Sequence, residues 1–202
     1  MLMKRCCSGA AILAIVVSAL AGTAWAQKEV KPEVIEKIKA ALPKASPAKP
    51  KMGRKVLIFT RTKGFRNGSI PTAAKSLAML GEATGAYTTV HSEDPNMFEP
   101  EKLKEFDAVF MINTTGECLN DGDKEKHERL KQSLVDFVRS GKGLCGTHSA
   151  TDTYKNWKEY NDMMGGAFAG HPWHMEVPVR LLDTAHPLNK VFAGQGFTVR
   201  DE

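Results

Sequence analysis

The 202 residues carry 28 Lys and Arg against 23 Asp and Glu, a formal net charge of +5. The excess is local: residues 27–55 hold nine basic and three acidic residues, whereas residues 56–202 hold seventeen basic and twenty acidic. A folded basic face of the kind that grips nucleic acid is therefore not expected, and the roughly 150 residues beyond the tail suffice for one sizeable core rather than two.

In chain order, the N-terminus comes first. Lys4 and Arg5 precede an apolar run from Ala10 to Leu20, and Ala24-Trp25-Ala26 sets small residues around one bulky one. Charge, a short apolar core and an A-x-A site predict a secretory signal over 1–26, cleaved after Ala26, and hence a periplasmic or secreted protein. The alternative, a retained anchor, needs about 20 apolar residues, which this run does not reach, so no stable membrane anchor is expected after cleavage. Cys6 and Cys7 precede the apolar core rather than follow it, which disfavours a lipoprotein. Cleavage would leave Cys118 and Cys145, too few for a disulfide scaffold, with their pairing left open.

Residues 27–54 form a Lys/Pro/Ala-rich linker in which Val34, Ile35, Ile38, Ala41 and Leu42 have the spacing of one short helix. Then the rhythm changes. Val56–Phe59 is a continuous apolar run of the buried-strand type, followed by a helix over Pro71–Glu82 that Gly85 should stop. Strands are predicted at Tyr87–His91 and Ala108–Asn113, and a strong amphipathic helix over Asp123–Ser140 with Leu130, Leu134, Phe137 and Val138 inward. A short strand, Leu144–Gly146, a helix at Lys155–Met164 and a later strand at Met175–Leu182, antiparallel or at an edge, complete the list. Alternating strands and helices predict an α/β fold with a mostly parallel sheet covered on both faces. Ligands in such sheets sit beyond the carboxyl ends of the strands, which points to the loops 60–69, 91–94, 113–120 and 147–152.

Three segments carry candidate chemistry. In Gly146–Thr153 a strand runs into a tight turn, as α/β enzymes arrange an exposed reactive side chain, and the residue so placed is His148. Histidine there suits a general acid/base, a metal ligand or a hydrogen-bond donor; the plain alternative is a helix cap made by Ser149, Thr151 or Asp152. In Thr60–Pro71, Arg61, Lys63 and Arg66 could hold a carboxylate, a phosphate or sugar hydroxyls, with Ser69 as a cap before Ile70-Pro71. The segment lacks the glycine and lysine spacing of a P-loop. In Gly165–His174, glycines permit close backbone approach, and His171 and His174 flank Trp173; Trp157 and Tyr160 lie just before. Aromatic faces beside polar donors suit carbohydrate, and core packing is the competing use. No metal-site spacing is present and no cofactor is expected, although His148, His171 and His174 could together hold a metal ion.

These segments, TRTKGFRNGSIP at 60–71, GTHSATDT at 146–153, GGAFAGHP at 165–172 and the final FTVRDE at 197–202, resemble the ThuA-like family, named for trehalose utilisation and related in fold to class I glutamine amidotransferases. The resemblance covers 55–202. It implies a flavodoxin-like three-layer α/β/α domain and a role in carbohydrate metabolism. The amidotransferase relatives place a nucleophilic Cys at the elbow where His148 stands, and Cys145 falls three residues earlier, inside the strand as an expected core thiol; glutamine hydrolysis is not expected. Family members carry His where this chain has Asn67, and they continue past the Asp-Glu motif into a further strand and helix, so the domain is expected to be C-terminally incomplete here.

The expected activity is histidine acid/base chemistry on a sugar or oxidised sugar derivative, by a hydrolase, isomerase or lyase. His148, His171 and Asp152 would be catalytic, and Arg61, Phe65, Arg66, Asn67, Ser69, Thr147, Trp173, Asp201 and Glu202 would bind substrate. The alternatives are a non-catalytic carbohydrate-binding or assembly module and an inactive fragment.

Overall fold

The computed structural model describes residues 29–48, 50–171 and 174–201. The expected signal segment, Trp173 and Glu202 lie outside the described residues.

Helix α1 (Pro32–Ala41) is the short helix expected in the linker. Strand β1 (Lys55–Phe59) leads to helix α2 (Ile70–Thr84), which Gly85 ends in the left-handed conformation that a residue without Cβ adopts freely. Strand β2 (Thr88–Ser92), a 3₁₀ turn at Pro95–Phe98, the single turn α3 (Pro100–Leu103) and strand β3 (Ala108–Ile112) follow. Helix α4 (Lys124–Arg139) is capped by the Asp123 side chain, which accepts from Lys126 N–H at 3.0 Å. Strand β4 (Gly143–Thr147) runs into a five-residue 3₁₀ turn, His148–Asp152, and helix α5 (Lys158–Met164) begins three residues after the expected start at Lys155. Strands β5 (Met175–Val179) and β6 (Phe197–Asp201) close the list. Among the described residues no helix is long and apolar enough to cross a membrane.

The four strands β2-β1-β3-β4, in that spatial order, form an all-parallel sheet, the first part of the flavodoxin-like order. Successive side chains alternate between its faces. Leu57, Phe59, Val109 and Met111 point into the larger core, which Leu103 of α3, Leu130, Leu134 and Phe137 of α4 and Tyr160 of α5 fill from one side. Ile58, Phe110 and Ile112 point the other way against Ala73, Ala74 and Leu77 of α2, while α1 lies beside them over a shallow apolar groove. The three layers are those expected.

The late strand is antiparallel, but β5 pairs with β6 in a separate ribbon rather than joining the main sheet. Strand β4 is consequently a sheet edge, and Cys145 on it is exposed instead of buried. Cys118 is fully buried, and the two thiols are unpaired with one another.

Candidate functional site

The loops beyond β1, β3 and β4 are laced together side by side. Lys63 N–H donates to Thr115 O at 2.9 Å, Gly116 N–H to Asp152 O at 3.2 Å, and Tyr154 N–H to Gly116 O at 3.2 Å. This continues the sheet a step past its strands, through bridges Thr62 to Thr115 and Gly116 to Thr153. Gly116 is required for the lacing: its φ is +63°, and a Cβ there would stand 2.6 Å from Lys63 O.

Above this platform lies a cavity of about 550 Å³ lined by Phe65, Asn67, Thr115, His148, Ser149, Thr151, Asp152, Phe168, His171 and Asp201. His148 is the first residue beyond β4 and holds φ +45°, a conformation that costs a β-carbon-bearing residue roughly 1–2 kcal/mol. Gly146, two residues earlier, lets the turn close: a Cβ there would meet Ala150 Cβ at 2.7 Å. His148 Nε2 lies 3.5 Å from Asp201 Oδ1, which the β6 end brings in from the ribbon. His171 stacks at a tilt against Phe168, centroids 5.4 Å apart. Lys155 Nζ stands 2.9 Å from Asp152 Oδ1 and over the Phe168 ring. The Lys155 contact is one of charge, because Oδ1 accepts no hydrogen bond in that geometry.

The expected site residues divide accordingly. Phe65, Asn67, His148, Asp152, His171 and Asp201 share the cavity. Ser69 and Thr147 do not line it and instead join Asn113 in a hydrogen-bond chain that ends at Asn67. The Ser69 side chain makes no cap bond to α2; its hydroxyl is taken up by Asn67 and Asn113 instead. Arg61 and Arg66 are bonded to other groups. Arg61 donates to Cys118 O at 3.1 Å, and Arg66 donates to Thr60 O at 3.2 Å and pairs with Glu93 Oε1 at 2.6 Å. Each guanidinium thus satisfies loop backbone or a carboxylate, and neither lines the cavity. Trp157 and Tyr160 belong to the core, packed with Tyr154. Among the described residues no group of three or more His, Cys, Asp or Glu could hold a metal ion, and His174 does not line the cavity.

Sequence reading points to the loops that hold Asn113, Thr115, Ser149 and Thr151 and to the segment that holds Phe168, but singles out none of the five as a ligand-binding residue. Asn113 had one signal: an Asn at a strand end is one of the few residues that enters the left-handed region readily, and it holds φ +47°.

A second polar group sits at the ends of β1 and β2. Thr60 Oγ1 donates to Glu93 Oε1 at 3.0 Å and lies 2.8 Å from His91 Nε2, which therefore donates to it. Burial, and next the Arg66 charge, hold the His91 pKa below the usual imidazole value against the opposing pull of Glu93.

A parallel doubly wound sheet with a histidine elbow over a cleft at its carboxyl edge defines the class: a flavodoxin-like α/β protein of the kind that hosts small-molecule sites. The family model for trehalose utilisation, ThuA, matches residues 55–202, and the chain belongs to that family. Its description points to a role in sugar utilisation. A crystal structure of a ThuA-like protein from Bacteroides uniformis ATCC 8492 shares the fold with a TM-score of 0.59 at 21% identity. The match covers 78% of this chain and 63% of that one, so the chain spans less than two thirds of that protein's length. No curated protein matches the chain.

Proposed function

We propose that the protein is exported and transforms a neutral sugar in the cleft beneath His148, with His148 as the acid/base and Asp201 orienting it. The observation that carries this is His148 itself: a histidine in the left-handed region at a strand end, 3.5 Å from a carboxylate and facing a cavity shared with His171. Backbone strain concentrates at sites where a side chain must be aimed, and an imidazole moves protons near neutral pH.

The charge of the lining supports a neutral ligand. Asp152 and Asp201 are its carboxylates, while Arg61 and Arg66, the cations that would have held an acid or a phosphate, are engaged elsewhere. An anionic sugar would meet the Asp201 carboxylate and an Asp152 already paired with Lys155, and no guanidinium lines the cavity to hold it. Phe65 and Phe168 add aromatic surface to the lining, which suits the C–H side of a pyranose.

The test uses the protein recovered from the exported fraction, its N-terminus at Gln27. Turnover of trehalose and related neutral sugars should fall by about 10²- to 10⁴-fold in His148→Ala, the range a positioned acid/base contributes. Full activity in that variant sinks the assignment. One feature favours a second reading, binding without turnover: Asn67 lines the cavity and cannot exchange protons near neutral pH. Tight sugar binding with no product from the wild-type protein would establish it.

A further inference from the structure

The amide of Asn67 is oriented by its neighbours, and its polarity follows from a single backbone group. Ser69 N–H, which can only donate, lies 2.9 Å from one terminal atom of Asn67, so that atom is Oδ1. Ser69 Oγ is 2.8 Å from the same oxygen and must spend its one proton there. The hydroxyl is then left to accept, and the Asn113 atom 2.8 Å away is Nδ2. Asn113 Oδ1 in turn accepts from Thr147 Oγ1–H at 2.8 Å. Thr147, Asn113, Ser69 and Asn67 thus form one directed chain from β4 across the end of β3 to the loop before α2, every donor pointing the same way. Asn113, 3% exposed at φ +47°, is its buried pivot.

At the end of the chain Asn67 Oδ1 is used twice, and Nδ2 has no hydrogen-bond partner among the described residues. Asn67 lines the cavity that holds His148 and Asp201. We infer that Asn67 is a specificity-determining residue that offers only donors to the ligand, reading an acceptor oxygen of a neutral sugar, and that Ser69 and Asn113 are positioning residues that fix this polarity. This rests on the sugar reading of the site. A carbonyl, ring or glycosidic oxygen satisfies such a subsite. A variant presenting an oxygen there sets two acceptors face to face.

The experiment follows the Asn67 side-chain amide by NMR in the full chain and measures binding of trehalose and D-glucose, with D-gluconate as the acidic comparison. The Asn113 amide protons should exchange slowly and those of Asn67 fast, and the Asn67 pair should shift on adding the neutral sugar. Asn67→Asp keeps an oxygen for Ser69 but replaces the donor, and should weaken sugar binding by about tenfold or more. Asn67→His, able to accept from Ser69 N–H at one ring nitrogen and donate from the other, should retain affinity to within about threefold. Ser69→Ala should weaken wild-type binding but have little further effect in the Asn67→Asp background, a coupling that general loosening of the loop would not produce.

Slow exchange of the Asn67 amide, or unchanged affinity in Asn67→Asp for a sugar the wild type binds, overturns the inference. Failure of the catalytic reading looks different: the sugar binds, Asn67 responds, and His148→Ala turns over as well as wild type. A wild-type protein that neither neutral sugar binds overturns both.

Discussion

Two cysteines, one on each side of the burial line, show how far position decides chemistry at the scale of a residue. Cys118 sits in the core beneath the Arg61 guanidinium, and burial pushes its thiol up to about 12 despite that charge. The folded chain therefore keeps a proton that the unfolded chain surrenders near the ordinary thiol value of 9.0. Above that value the unfolded state binds fewer protons, so the stabilisation held at neutral pH is lost as pH rises through the interval from 9.0 to about 12. In reductant, denaturant titrations should show the wild type losing about 1 kcal/mol more than Cys118→Ala between about pH 8 and about pH 10. Equal losses would mean the thiol titrates alike in both states. Cys145, exposed on β4, should alkylate in the folded protein, whereas Cys118 should react only after unfolding.

Among the elements, the loops of the cleft are held by backbone lacing as well as by side-chain bonds, and the lacing depends on one glycine. Gly116→Ala brings a Cβ to 2.6 Å from Lys63 O at a φ of +63°, and both strain and clash act on the lace that joins the first and third loops. Chemical denaturation should register a loss of about 1–3 kcal/mol, and His148→Ala turnover aside, the variant's sugar affinity should fall with it. A variant as stable as wild type would show that the loops can part without cost. The elements themselves were legible in the sequence because their signals are local: the apolar run at Val56–Phe59, the stripe of α4 with Asp123 before it, and Gly85 after α2. The turn after β4 was less so. Ser149, Thr151 and Asp152 read as caps of an α-helix, yet the chain makes a 3₁₀ turn there, with Thr151 Oγ1 bonded back to His148 O at 3.3 Å.

Over the whole molecule, the part of the site that sequence reading recovered is the part set by strand ends, since strand order alone carries Asn67, His148 and Asp152 to one edge. Where Arg61 and Arg66 point was not legible, because their partners, Cys118 O and Glu93, lie 57 and 27 residues away in the chain. The strand at Met175–Leu182 reads as antiparallel or at an edge; it is antiparallel, but its partner β6 makes with it a separate two-stranded piece, and neither hydrophobic cluster draws a residue from beyond Met164. A chain ending at Gly170 should therefore keep the cooperative unfolding of the four-stranded sheet while losing its sugar affinity with Asp201 and His171. Loss of that transition would place the ribbon in the stability of the core. One face of the ribbon carries Met175, Val177, Phe197 and Val199, each between 39% and 52% exposed, and ends at Asp201 beside His148. His148 and Asp201 thus belong to two separately hydrogen-bonded pieces of chain. Were the ribbon seated in only a fraction of molecules, the affinity of the proposed site would be scaled by that fraction, and a partner covering its apolar face in the seated position would raise it without touching the ligand.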